Sequence, residues 1–208
     1  MLRISQLRSA RNGGLQHGAE HNRDSDNERG AALVEFALVA VLLLTIAFGV
    51  FEFGTAWSKS QLVTQAARSG GRTGAQVGTG LSSPGISADE SIVQAVEAGL
   101  GGSAGNLQRI VIYKATDPDG ALPPSCETVA PPGVAGLCSV YDAGDYANYG
   151  AWVDGAWSPA SRDNGINTAD FIGIRVEIEE PLLTGFFGTG TYEINDTAVF
   201  RIEPDAGD

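Results

Sequence analysis

AALVEFALVAVLLLTIAFGVF, residues 31–51, is the stretch that decides how this 208-residue chain is built. It holds one charged residue, Glu35, and no polar face. As a helix rising 1.5 Å per residue, a run of this length spans roughly 30 Å, the thickness of a bilayer's hydrocarbon core. A helix of a soluble core would keep one face polar, so the stretch is read as a membrane span, predicted over 31–52. A cleaved secretory signal would carry a shorter apolar region followed by small residues of the A-x-A kind. Here helix-compatible sequence continues past the run, and the span is read as a retained anchor.

Upstream, residues 1–30 carry five arginines (Arg3, Arg8, Arg11, Arg23, Arg29) among Asn, Asp, Ser and Gly. Such a composition buries too little apolar surface to offset ordering entropy, so a disordered leader is expected there. Arg23 and Arg29 flank the start of the span, whereas only Lys59 follows closely on its far side. By the positive-inside rule the amino terminus stays cytoplasmic and the carboxyl-terminal part crosses the membrane. Trp57 and Lys59 then fall where interfacial anchors sit.

Downstream, the helical pattern continues over 53–78, and an α+β domain is expected over 79–208, outside the cytoplasm. From Lys59 onward there are eight basic and nineteen acidic residues, a net of −11. Such a domain repels phosphate backbones, which argues against nucleic acid as a partner. Ala66, Gly70, Gly74 and Gly78 recur every four positions. Glycine costs up to about 1 kcal/mol within a helix, so the stripe implies close approach of a neighbour. A sheet of the same domain is the reading taken, with a helix of another subunit as the alternative. Glu52 at the outer end of the span is either a hydrated interfacial acid or a functional one.

Ser87-Ala88-Asp89-Glu90 signals a helix start, Ile92, Val93, Val96 and Leu100 recur at helical spacing, and Gly99, Gly101 and Gly102 stop the run. Strands are expected over 108–115, 171–179 and 192–202, with Asp117-Pro118-Asp119-Gly120 as a turn. Residues 121–168 read as a long loop. Cys126 and Cys138, the two cysteines of the chain, lie within it. A disulfide between them would close a loop worth roughly 3 kcal/mol, and two unpaired thiols are the alternative. Tyr141, Tyr146, Tyr149, Trp152 and Trp157 in the same stretch either pack over the sheet or offer a contact surface. The expected fold class is therefore α+β: a long N-terminal membrane-spanning helix packed on an antiparallel sheet of three or four strands, with one further helix.

Chemistry is thin. Gly99-Leu100-Gly101-Gly102-Ser103-Ala104 fits a dinucleotide pattern by letter, but it follows a helix and precedes a strand, the reverse of a phosphate-binding turn. No nucleophile elbow, Walker loop or zinc-protease helix occurs, and both histidines, His17 and His21, lie in the leader. No catalytic, cofactor or metal residue is nominated. Glu35 alone demands a reason, since a carboxylate at mid-membrane costs about 2.5–3.5 kcal/mol on insertion scales. One reading is structural, a side chain reaching back to the headgroups.

The other rests on resemblance. Arg29-Gly30 followed by Ala31-Ala32-Leu33-Val34-Glu35 resembles the processing site of type IV prepilins and pseudopilins. There a prepilin peptidase cuts after the glycine, and the glutamate becomes the fifth residue of the mature chain. That likeness implies cleavage between Gly30 and Ala31, and pairing of Glu35 with the new amine of an adjacent subunit. More closely, residues 29–38, Phe48-Gly49-Val50-Phe51-Glu52-Phe53-Gly54 and Ala66-Ala67-Arg68-Ser69-Gly70-Gly71-Arg72 look like the TadE-like family. Its members are pseudopilin-like components of the tight-adherence (Flp) pilus assembly system. The resemblance implies a non-enzymatic membrane protein whose partners are lipid, other pilin-like subunits, the pilus assembly machinery and the prepilin peptidase. A membrane-tethered binding module, with residues 123–167 as its contact surface, is the rival reading.

Overall fold

The first proline of the chain is Pro84, and nothing before it breaks the helical pattern. The computed structural model accordingly has one helix, α1, over His17–Val77. It describes residues 17–83, 85–143, 153–185 and 188–204, as backbone alone for 17–28 and 81–83. Residues 1–16 of the expected leader, and Tyr146, Tyr149 and Trp152, lie outside the described residues. The assigned helix starts upstream of the predicted edge at residue 31 and ends within a residue of the expected end. The chain divides into two compact units, Met1–Phe51 and Glu52–Asp208.

In the first unit the apolar residues of α1 face outward: Leu33, Phe36, Leu38, Leu42 and Phe51 are each at least 60 % exposed. In the second unit the chain continues through a small hairpin, β1 (Leu81–Ser83) and β2 (Ile86–Ser87), into α2 (Ala88–Leu100). Ser87 caps α2, its hydroxyl accepting from Glu90 N at 3.1 Å, and Asp89 and Glu90 sit in the first turn, where helix-dipole and free amides favour acids. Gly101, at φ +52, ends the helix in a backbone conformation suited to glycine. Then follow β3 (Leu107–Ala115), the short α3 (Pro124–Glu127), β4 (Gly133–Val134), β5 (Cys138–Asp142), β6 (Phe171–Pro181) and β7 (Thr191–Arg201). The antiparallel sheet has the order β4-β5-β3-β6-β7.

The fold class is the expected α+β, but the sheet has five strands, and residues 121–168 are not simply a loop. β5 pairs with β3 from Arg109↔Asp142 to Tyr113↔Cys138. Its first four residues are all buried, with no alternation. One side meets the helices and the other lies under the disulfide-bonded segment, so a strand covered on both faces hides its period. Cys126 and Cys138 form the disulfide, with Cα atoms 6.3 Å apart. Tyr141 and Trp157 are buried, so these two aromatics pack into the core. The Asp117 turn is present, Gly120 N donating to Asp117 O at 3.0 Å.

On the helix side, Ile110, Ile112, Ile172, Ile174, Val176 and Ile178 meet Val63 of α1 and Ile92, Val93 and Val96 of α2. The glycine stripe permits this contact. A Cβ on Gly70 would lie 2.5 Å from Val96 Cγ2 and 3.4 Å from Ile174 Cγ2, and one on Gly74 3.0 Å from Ile172 Cδ1. Reciprocally, a Cβ on Gly99 of α2 would come 2.8 Å from Ala66 Cα. The stripe therefore serves packing within the unit. Gly70→Ala gains up to about 1 kcal/mol of helix propensity but must displace a stiff β-branched side chain, and overpacking of that kind costs about 1–3 kcal/mol. A denaturant melt of the full-length chain in detergent should show net destabilisation, and a more stable Gly70→Ala variant would contradict this packing.

Candidate functional site

Two arrangements outside ordinary packing stand out, a buried ionic knot in the second unit and the exposed amino-terminal part of α1. The knot is built where three segments meet. Asp89 sits in the first turn of α2, Arg162 follows a short 3₁₀ turn at Pro159–Ser161, and Gly78 closes α1. The Arg162 guanidinium and Asp89 carboxylate are both fully buried and paired. Arg162 also donates through Nη1 to Gly78 O at 3.0 Å and through Nη2 to Trp157 O at 3.0 Å, with its Cζ 4.6 Å from the Trp157 ring centroid. The cation thus meets the carbonyl end of α1, and the carboxylate the amide end of α2, each favoured by its helix terminus. Tyr141 donates its hydroxyl to Asp89 Oδ2 at 2.6 Å and accepts from Gly155 N at 2.7 Å. Ser139 completes the network by exchanging hydrogen bonds with Trp157, at 3.1 and 3.2 Å.

Burial pushes the Asp89 carboxyl above its ordinary range, against the pull of Arg162 and Tyr141. The Tyr141 hydroxyl is raised by burial and by the adjoining Asp89 charge, which fixes it as a donor. With Asp89, Arg162, Tyr141, Ser139 and Trp157 all buried, this group ties the three segments together. Sequence reasoning missed it. Asp89 reads as a first-turn acid, and Arg162 lies within the 121–168 stretch read as a loop. A single arginine amid Trp, Pro and Ser carries no spacing signal for a partner 73 positions away.

Around the rest of the second unit, polar ties fix α1 to the sheet. Glu52 accepts from Leu183 N at 2.9 Å and Thr184 N at 3.2 Å, and so acts as a clasp on the β6–β7 connection. Lys59 pairs with Glu180 at 2.9 Å and donates to Ser103 Oγ at 2.5 Å. Burial tends to raise the Glu180 carboxyl, but hydrogen bonds from Lys59, Asn106 and Ser103 outweigh it and hold the group below its usual range. Thr64 donates to Asp196 of β7.

The residues predicted to carry processing and pairing lie in the first unit. Gly30, Ala31 and Glu35 are all exposed on α1. A Cβ added at Gly30 would meet nothing within 4 Å. Ala31 and Glu35 stand one turn apart on one helix face. From Arg29 on, α1 is long and apolar enough to cross a membrane, with mean hydropathy 2.6 in its most apolar window and none of that window buried. Among the described residues no group of three or more His, Cys, Asp or Glu is placed to hold a metal ion.

Comparison with known families gives one match, a family described as TadE-like protein, over residues 30–72. The match begins at Gly30 and takes in Glu35, Glu52 and the start of the glycine stripe. It agrees with the resemblance read from the sequence and links this segment to components associated with tight-adherence pili. No curated protein and no solved structure matches the chain.

The knot makes a clear forecast for stability. Asp89→Asn leaves the Arg162 cation buried without a counter-ion, which costs about 3–5 kcal/mol. Replacing both partners, as Asp89→Leu with Arg162→Met, removes the lone buried charge. It leaves the Tyr141 hydroxyl and the Gly78 and Trp157 carbonyls without these partners, so it should recover only part of that loss. Thermal melts of the full-length variants in detergent would measure both, and a double variant no better than Asp89→Asn would show that the pair acts otherwise.

Proposed function

We propose that the chain is a pilin-like structural subunit of a tight-adherence pilus assembly system, anchored by α1 with its amino terminus cytoplasmic and its second unit outside. It works by packing and catalyses no reaction. The observation that carries this reading is the position of Gly30 and Glu35: both lie in the segment that matches the TadE-like family, at the head of an apolar helix surface that is exposed among the described residues.

In this reading a prepilin peptidase cuts between Gly30 and Ala31. Glycine lowers helix stability by about 1 kcal/mol, which eases the local opening that a peptidase needs. The cut frees an ammonium group at Ala31. The Glu35 carboxylate of an adjacent subunit, poorly solvated among lipid chains, gains a counter-ion by pairing with it, and this fixes the axial stagger of neighbouring helices. Lipid, sister pilin-like subunits, the assembly machinery and the peptidase are the partners this mechanism requires.

Mass spectrometry of the protein recovered from membranes should give a mature chain beginning at Ala31. Glu35→Gln should leave the protein in the membrane but lower its recovery with sheared pili about tenfold, the equivalent of about 1.4 kcal/mol. An intact Met1 terminus, with unchanged recovery of Glu35→Gln, would favour a simple tethered module instead.

A further inference from the structure

In the second unit nearly every basic side chain is engaged. Lys59, Arg109, Lys114, Arg162 and Arg175 each pair with a carboxylate, and Arg201 donates to Ile166 O at 3.0 Å. Arg68 and Arg72 are the exceptions. Both are exposed, and neither has an ion-pair or hydrogen-bond partner among the described residues. They stand four residues apart on α1, a spacing at which like charges repel. Their face is the one turned away from the sheet, since Ala66, Ala67, Gly70 and Gly71 beside them are buried.

The opposite side of the unit carries the mirror-image defect. Glu179 of β6 and Glu193 of β7 are exposed and directly paired across the strands. Like charges so placed destabilise a sheet. Glu179 accepts from the Thr191 hydroxyl and Glu193 from Asn195 Nδ2 at 3.1 Å, but neither has a cation among the described residues. They alternate with Ile178 and Ile194, which face the core, so they lie on the sheet face away from α1 and α2.

We infer that the Arg68–Arg72 pair of one copy docks on the Glu179–Glu193 pair of the next, joining second units head to tail. The two pairs match in scale, since side chains four apart on a helix start about 5–6 Å apart and those opposed across strands about 4.5–5.5 Å apart. Each pair repels itself within one subunit and is neutralised by the other. At a net charge of −11 from Lys59 onward, copies repel in most orientations, and this orientation sets the free cations against acids that lack one. The patches are different surfaces on opposite faces, so the contact is heterologous. It leaves one of each unsatisfied at the ends of a row and extends without closing into a symmetric dimer. This deepens the subunit reading above and rests on it, because it supplies the contact between the outer parts of neighbouring subunits.

A charge-swap series on the full-length chain in detergent tests the inference by sedimentation velocity at low and high salt. Wild type should associate in a concentration-dependent way that weakens with salt. Arg68→Glu with Arg72→Glu should weaken self-association at least tenfold, and Glu179→Arg with Glu193→Arg should do the same. An equimolar mixture of the two variants should recover association, because each then offers the charge the other lacks. All four positions are exposed, so melting midpoints close to wild type should verify folding. Monomeric wild type, undiminished association of either variant, or no recovery on mixing would each overturn the interface. If the interface fails while the mature chain still begins at Ala31 and Glu35→Gln still depletes pili, the contact is wrong and the subunit reading stands.

Discussion

An apolar helix surface left exposed among the described residues is the constraint on which the rest depends. Leu33 to Phe51 present Leu, Val, Ile and Phe all round α1, and water would impose a large penalty on that surface. A bilayer removes the penalty, and a helix is the form that satisfies every backbone group there without outside help. The same environment makes Glu35 conspicuous. In water its charge would be unremarkable, but in hydrocarbon it calls for a counter-ion or a route to the headgroups. In the proposed reading, processing at Gly30 would give a physical source for that counter-ion, the new amine at Ala31 of an adjacent subunit.

The second unit solves a different problem, how to seat α1 on a sheet closely enough for a small domain to form a core. Glycines at 70, 74 and 99 bring backbones together where ordinary side chains would hold them apart. Close approach by itself does not set register along the helix. Polar groups do that at intervals: Glu52 on the β6–β7 connection, Lys59 on Glu180, Thr64 on Asp196, and Arg162 at the end of α1. On the other face of the sheet, a second core forms around Tyr113, Val140 and the Cys126–Cys138 disulfide. There burial lifts the Tyr113 hydroxyl to about 12, and it donates to Gly120 O at 2.9 Å.

Much of this was readable from residues wherever the signal is local. The apolar helix follows from a long apolar run with a single charge, α2 from Ser87 and the spacing of Ile92, Val96 and Leu100, and β6 from alternation. The disulfide follows from two cysteines in one loop. The glycine stripe announced close packing, and its partner proved to be α2 and the sheet of the same unit. What stayed hidden is non-local. β5 lacks a period because both its faces are covered, and Arg162 finds Asp89 only once the chain has folded. From residues alone Glu52 stays open between a hydrated interfacial acid and a functional one, because its partners are backbone amides, which no residue type advertises. The isolation of Arg68 and Arg72 likewise emerges only when the engagement of the other cations is known.

In the proposed reading the molecule works by contact: lipid with helix, helix with sheet, and charged face with charged face. That reading requires permanent residence in the bilayer, and membrane fractionation of cells expressing the full-length chain probes it without assuming a partner. The protein should remain with the membranes through an alkaline carbonate wash and leave them only in detergent. Recovery in the aqueous supernatant, with the apolar helix still attached, would contradict the account.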